Sequence, residues 1–235
     1  MIKALLFDLD NTLYDYEICH NFAMKAVYNE FKKIYKCNYE EFEKIYDEAK
    51  QKIHLELSGS ASEHNRIIYF QRIFENLNKV VSVDEILTLY DVYYKAFFKR
   101  MKPYPYVTNA LKLLKNNYKL AIVTNLLSEI QLRKLKVLKL SKYFDVFVSS
   151  EEAGREKPHP DIYLLALHKL EVLAKEAVMI GDSTNDIEGA KHLQIVALKF
   201  VPENKKLNED IKNEMVFHSF KELPKIIESL NKSTY

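Results

Sequence analysis

Apolar residues follow two different rhythms along this chain. The run from Lys3 to Leu9 is short, apolar and ends abruptly in acid, the pattern of a buried parallel strand opening into a functional loop. From about Tyr16 to Lys102 no strand pattern occurs. Phe22, Ala26, Phe31 and Ile34 keep helical spacing, as do Phe42, Ile45 and Ala49, and then Ile67, Phe70, Ile73 and Phe74. Ser82 with Glu85 predicts a capping box opening a further helix toward Phe98. This segment is expected to be a bundle of about four helices.

The rhythm changes at Lys102-Pro103-Tyr104-Pro105, which reads as an extended connector. Beyond it the pattern predicts helix 107–115, strand 120–124, helix 128–138, strand 146–149 and helix 161–170. Strand 178–181, helix 186–193, strand 195–199, a last strand at 215–217 and a closing helix 220–230 follow. Alternation of this kind builds a parallel sheet with helices on both faces. The strand at Lys3 has no partner in the helical block and is expected to join that sheet. The predicted fold is a Rossmann-like α/β core, 1–15 with 103–235, split after its first strand by an inserted helical domain, 16–102.

Composition narrows the function classes. Among 235 residues, 35 basic side chains face 33 acidic ones, a net charge of +2, which makes no electrostatic case for nucleic acid or an anionic membrane as partner. Lys32-Lys33 and Lys205-Lys206 are charge runs too short to make a nucleic-acid footprint. The glycines, Gly59, Gly154, Gly181 and Gly189, are too dispersed for a dinucleotide fingerprint or a Walker-type phosphate loop. Cys19 and Cys37, both in segments that read as helix, suit ordinary thiols rather than a disulfide framework or zinc site. Asp8 cuts the first apolar run before it could act as a signal sequence, and no run is long enough to span a bilayer, so a cytoplasmic location is expected.

The chemistry gathers where the strands end. The carboxyl ends of strands in an open parallel sheet hold the ligand site. There this chain places Asp8-Leu9-Asp10-Asn11-Thr12, Thr124-Asn125, Glu156-Lys157-Pro158 and Gly181-Asp182-Ser183-Thr184-Asn185-Asp186. Carboxylates converging on one edge repel, and burying them uncompensated costs several kcal/mol per ion. A hard cation such as Mg²⁺ relieves that cost and suits all-oxygen ligands. Two residues apart on extended backbone, Asp8 and Asp10 would point to one side. One could attack phosphorus while the other gives and takes the proton. Lys157 would offset negative charge, and Thr124 with nearby amides would bind phosphoryl oxygens.

FDLDNTL, IVTN, REKPHPDIY and MIGDSTNDIEGA, in that order and spacing, resemble the four motifs of the haloacid dehalogenase superfamily. The insertion resembles the helical cap of the subgroup with its cap between the first two motifs. The resemblance implies Asp8 as the nucleophile that forms an aspartyl-phosphate and Asp10 as general acid/base. It implies Thr124, with Asn125 beside it, at the phosphate and Lys157 as the charge-stabilising lysine. Asp8, the Asp10 main-chain carbonyl and Asp182 would be Mg²⁺ ligands, with Asp186 helping directly or through water. Two positions depart from the pattern: Asn11 stands where many members have glycine, and Leu126 where a small residue is common.

Because dehalogenating members usually lack the second acid, Asp10 favours a phosphatase over a dehalogenase. A phosphomutase shares all four motifs, and a non-catalytic binding protein could have lost Asp8. The expected activity is Mg²⁺-dependent hydrolysis of a small phosphorylated metabolite, a sugar phosphate or nucleotide monophosphate, by a monomer or homodimer. Within the insertion, Arg66 and Arg72 are the specificity candidates for a second anion, since arginine forks bind carboxylate or phosphate. Tyr14 and Tyr16, following the first motif, are candidates to approach a leaving group, with a core-packing or solvent-facing role as the plainer reading of each. The many tyrosines and phenylalanines of the insertion are read as its core rather than a base-stacking surface.

Overall fold

The computed structural model describes residues 1–80, 82–203, 205 and 215–232. The chain divides into two compact units, Met1–Asp15 with Lys102–Tyr235, and Tyr16–Met101.

The first unit is built on six parallel strands: β1 (Ala4–Phe7), β2 (Lys119–Thr124), β3 (Val146–Ser149), β4 (Ala177–Gly181), β5 (Val196–Phe200) and β6 (Met215–Phe217). Their order is β3-β2-β1-β4-β5-β6, so β1 is central and does pair with the later strands. Chain progression reverses on the two sides of β1, and such a switch point opens a crevice at the strands' carboxyl ends. All four residues of β1 and all five of β4 are buried, which is why both read as unbroken apolar runs. On one face Leu6, Val123, Val148 and Met179 pack with Ile162, Tyr163 and Ala166 of a helix, Pro160–Leu170.

The Tyr16–Met101 unit contains α1 (Tyr16–Ile34), α2 (Tyr39–Glu56), α3 (Arg66–Asn76) and α4 (Val83–Arg100), with a 3₁₀ turn at Ala61–His64. Its aromatics are core: Phe31, Phe42, Tyr46, Phe70, Phe74, Tyr93 and Phe97 are fully or almost fully buried. Ring contacts such as Phe31–Phe42, with centroids 5.2 Å apart, link them. Local differences from the sequence reading have local causes. Ser82 caps α4 by accepting from the Glu85 amide, half of the expected box. Cys37 lies in the loop before α2, because Asn38 already forms that helix's capping box with Glu41. Lys206, half of the second charge run, lies outside the described residues.

Among the described residues the remaining α-helices are α5 (Val107–Leu114), α6 (Ser128–Leu138), α7 (Ser150–Ala153), α8 (Pro160–Leu170), α9 (Thr184–His192) and α10 (Leu223–Lys232). The short α7 was not anticipated; Ser149 caps it and Gly154, at φ 76°, ends it within one turn.

Candidate active site

β1 stops at Phe7, but the Asp8 amide still donates to the Ile180 carbonyl of β4 (2.9 Å), so the Asp8 backbone is fixed to the sheet. Its side chain is buried, 6% exposed. The Lys157 ammonium, equally buried in the loop between α7 and α8, donates to Asp8 Oδ1 (2.6 Å), Asp186 Oδ1 (2.6 Å) and the Val123 carbonyl (3.0 Å). All three of its protons are therefore used. Asn125 fixes that loop: its Oδ1 accepts from the Lys157 amide (2.9 Å). The Asn125 side chain is thus turned to the lysine loop.

Asp186 is at the third position of α9. Ser183 N and Oγ both donate to Asp186 Oδ2, at 3.1 and 2.6 Å, which leaves Oδ1 to face Lys157. Gly181 makes this approach possible, because a Cβ there would stand 2.4 Å from Asp186 Cγ. Tyr163 of α8 donates its hydroxyl to the Asn185 carbonyl (2.9 Å) and steadies the same turn.

Asp182 completes the group. One oxygen from each of Asp8, Asp182 and Asp186 lies within 4.8 Å of the others. Thr12, which sequence reading left without a role, donates from Oγ1 toward Asp8 Oδ2 (3.1 Å) and Asp182 Oδ1 (3.2 Å). Burial is the largest cause raising the Asp8 carboxyl to about 7; Lys157 opposes it, while Asp186 and Asp10 add to it. Burial, with Asp8 and Asp186, likewise pushes Asp182 well above the usual carboxylate range. When ionised, the three carboxylates exceed the one ammonium by two negative charges, which is what raises Asp8 and Asp182 further, and the donors are all oxygen. Asp8, Asp182 and Asp186 therefore fit a hard divalent cation.

Asp10 belongs to a second, adjoining group. Asp10 lies beyond the end of β1, in an isolated bridge with Tyr14. Its carboxylate takes two hydrogen bonds from the Lys134 ammonium, at 2.8 and 2.7 Å, one from the Tyr14 hydroxyl and a longer one from Gln131 (3.4 Å). Lys134 and Gln131 are both buried on α6, and neither was anticipated from sequence. Gln131 Nε2 also donates to the Thr124 hydroxyl (2.6 Å) and the Asn125 carbonyl (2.9 Å), holding the end of β2 against α6. Tyr14 is thereby tied to Asp10. Leu126 adopts φ 98°, and its amide donates to Ser150 Oγ (2.9 Å), so that amide is engaged in the protein rather than presented to a phosphate.

The two arginines of the helical unit part company. The fork of Arg72 is filled by Glu56, at 2.6 and 2.8 Å, and by Glu75 (2.8 Å) on the surface. Arg66 is buried and points inward. Nη1 donates to the His64 carbonyl (2.8 Å), Nη2 donates to the Tyr16 hydroxyl, and the guanidinium stands over the Tyr69 and Tyr93 rings at 5.0 and 5.2 Å. Its Nε has no hydrogen-bond partner, and among the described residues no carboxylate pairs with it.

The family model described as haloacid dehalogenase-like hydrolase matches residues 5–201. The ribulose-1,5-bisphosphate 5-phosphatase of Halopiger xanaduensis is 35% identical over 86% of this chain and 86% of its own length. The glyceraldehyde 3-phosphate phosphatase of Methanocaldococcus jannaschii is 29% identical over 99% and 100%. In fold, a 2-haloacid dehalogenase crystal structure from Pseudomonas syringae superposes with a TM-score of 0.76 over 98% of this chain and 100% of that one, at 24% identity. By the extent of the family match and the identity to the phosphatase relative, the chain belongs to the haloacid dehalogenase-like hydrolase family.

Proposed function

We propose that this chain is a Mg²⁺-dependent phosphomonoesterase that hydrolyses a small sugar phosphate through an aspartyl-phosphate on Asp8. The observation that carries the reading is the Lys157 ammonium bridging Asp8 and Asp186, with Asp182 within reach and Asp10 two residues along. Lys157 opposes the protonation that burial favours and aims Asp8, so that its carboxylate can attack phosphorus. Asp10 donates a proton to the leaving oxygen and then takes one from the water that hydrolyses the acyl phosphate. The Thr124 hydroxyl, freed from its weak 3.3 Å bond to the Asn125 carbonyl, can turn to a phosphoryl oxygen while still accepting from Gln131. Asp8, Asp182, Asp186 and the Asp10 carbonyl would hold Mg²⁺, which when bound supplies charge neutralisation and alignment for the phosphoryl group.

The helical segment, 16–102, is assigned as the cap that selects substrate. Support for a sugar phosphate comes from the named substrates of the two curated relatives, a ribulose bisphosphate and glyceraldehyde 3-phosphate. Arg66 would bind a second anionic group, because its buried charge has tyrosine and carbonyl partners but no carboxylate. The test is phosphate release from ribulose 1,5-bisphosphate, glyceraldehyde 3-phosphate and a nucleoside monophosphate, after chelation and again with Mg²⁺ restored. Mg²⁺-dependent release favouring the sugar phosphates is expected. Arg66→Ala should lose more kcat/KM on the bisphosphate than on the monophosphates. No release from any of them, or an unchanged ranking in the variant, would refute the corresponding claim.

A further inference from the structure

A separate group of ligand-type side chains lies in the helical unit, where the end of α2 meets the 3₁₀ turn before α3. His54, Glu63 and His64 each place one ligand atom within 4.8 Å of the other two. The proton accounting around His54 is constrained. The Tyr69 hydroxyl lies 2.5 Å from the Glu63 carbonyl, so its only proton must be donated there. The Tyr69 oxygen is also 2.8 Å from His54 Nε2, and that contact then requires Nε2 to carry the hydrogen. A neutral His54 consequently has its lone pair on Nδ1. Yet Nδ1 faces Glu63 Oε1 at 3.0 Å, and the other oxygen of that carboxylate accepts from the Gly59 amide (2.8 Å). Two acceptors at 3.0 Å repel unless a positive centre lies between or beside them.

That centre could be a proton or a metal ion. Lys50 and Arg66 bring positive charge toward this point, Glu63 brings negative charge, and His64 adds a second imidazole to the cluster. A hard ion held by charge alone meets opposition from Lys50 and Arg66. An ion that bonds strongly to imidazole nitrogen does not depend on the local field in that way. From this geometry we propose that His54 Nδ1, a Glu63 carboxylate oxygen and His64 form a site for a borderline divalent transition ion of the zinc class, separate from the carboxylate site at the sheet edge.

The surroundings match what such sites require. Tyr69 fixes the His54 tautomer from the outer side, as second partners of metal-bound histidines do. Three protein ligands leave a fourth position for water. His54 also lines an open cavity of about 530 Å³ with Asp47, Lys50, Gln51 and Leu55, which gives an ion a path from solvent. Bonds of about 2.1 Å would draw the ligand atoms together, so a loaded site would clip the end of α2 to the turn.

The test is titration of the full chain with Co²⁺ and Zn²⁺ in the presence of saturating Mg²⁺, which occupies the carboxylate site. One Co²⁺ per chain with visible d–d absorption is expected, displaced by Zn²⁺. Glu63→Gln and His64→Gln should abolish it, while Tyr69→Phe should weaken it by about 10- to 100-fold. Mass-spectrometric mapping of diethyl pyrocarbonate labelling on the unaltered chain needs no variant to fold: Zn²⁺ should protect His54 and His64. No transition-ion uptake under Mg²⁺, uptake unchanged in both variants, or labelling of His54 and His64 unaffected by Zn²⁺ would overturn the proposal. None of these outcomes bears on whether the sheet-edge site is a phosphatase.

Discussion

Removing the Lys157 ammonium would leave the Asp8 and Asp186 carboxylates buried together with nothing between them. Breaking a buried pair in this way costs about 3–5 kcal/mol. Lys157→Met is therefore expected to lower stability by that order in urea unfolding, and added Mg²⁺ should recover part of the loss because the carboxylates remain; no recovery would argue against a cation at this site. Asp10→Asn should lower kcat by about 10²- to 10⁴-fold. Lys134→Met, which keeps the Asp10 carboxyl but removes its two shortest ammonium bonds, should lower kcat by less, and steady-state kinetics of both variants would show the order. Asp8, Lys157, Asp182 and Asp186 were legible because each lies in a short motif at a strand end or adjoining loop. Lys134 and Gln131 were not: three residues apart on a helix, a lysine and a glutamine read as a solvated face. Only the tertiary contact with Asp10 and Thr124 turns that face inward.

α9 packs closely only because Gly189 lies within it. A Cβ on Gly189 would meet the Tyr163 ring and hydroxyl at 2.6 Å, and that hydroxyl holds the Asn185 and Asp186 carbonyls. Gly189→Ala should cost about 1–3 kcal/mol by overpacking, read as a fall in melting temperature, and should weaken Mg²⁺ binding as the start of α9 shifts. In the helical unit, burial first, then Arg66 and Lys50, lower the His20 imidazole to about 3, and its Nδ1 contacts the Tyr93 hydroxyl (2.8 Å), linking α1 to α4. The folded state therefore binds fewer protons than the unfolded chain between about pH 3 and 6.5. Stability should fall as pH drops through that window, by at most about 1.4 kcal/mol per pH unit from this residue. Denaturation at pH 7 and 4.5 should show a smaller difference for His20→Gln. Strand and helix order was readable because the two rhythms differ. The one-turn α7 and the left-handed Leu126 were not readable, since a four-residue helix has no period and the Leu126 turn is held by the distant Ser150.

For the whole molecule, the decisive feature is the position of β1. Placed between β2 and β4, it brings Asp8 beside the ends of strands that follow it by more than a hundred residues. The sequence pattern implied this arrangement, because an isolated apolar strand before a long helical segment has nowhere else to pair. What pattern alone could not resolve was how the two acids of the first motif divide, one to Lys157 and the other to Lys134, because both lysines come from distant parts of the chain. The proposed phosphatase activity stands or falls with Asp8 as the nucleophile of a phosphoryl transfer. The most direct measurement is phosphate release from p-nitrophenyl phosphate with and without Mg²⁺, with folded Asp8→Asn run beside the unaltered chain. Metal-dependent turnover that disappears in Asp8→Asn is the predicted result; turnover that survives the substitution would contradict it.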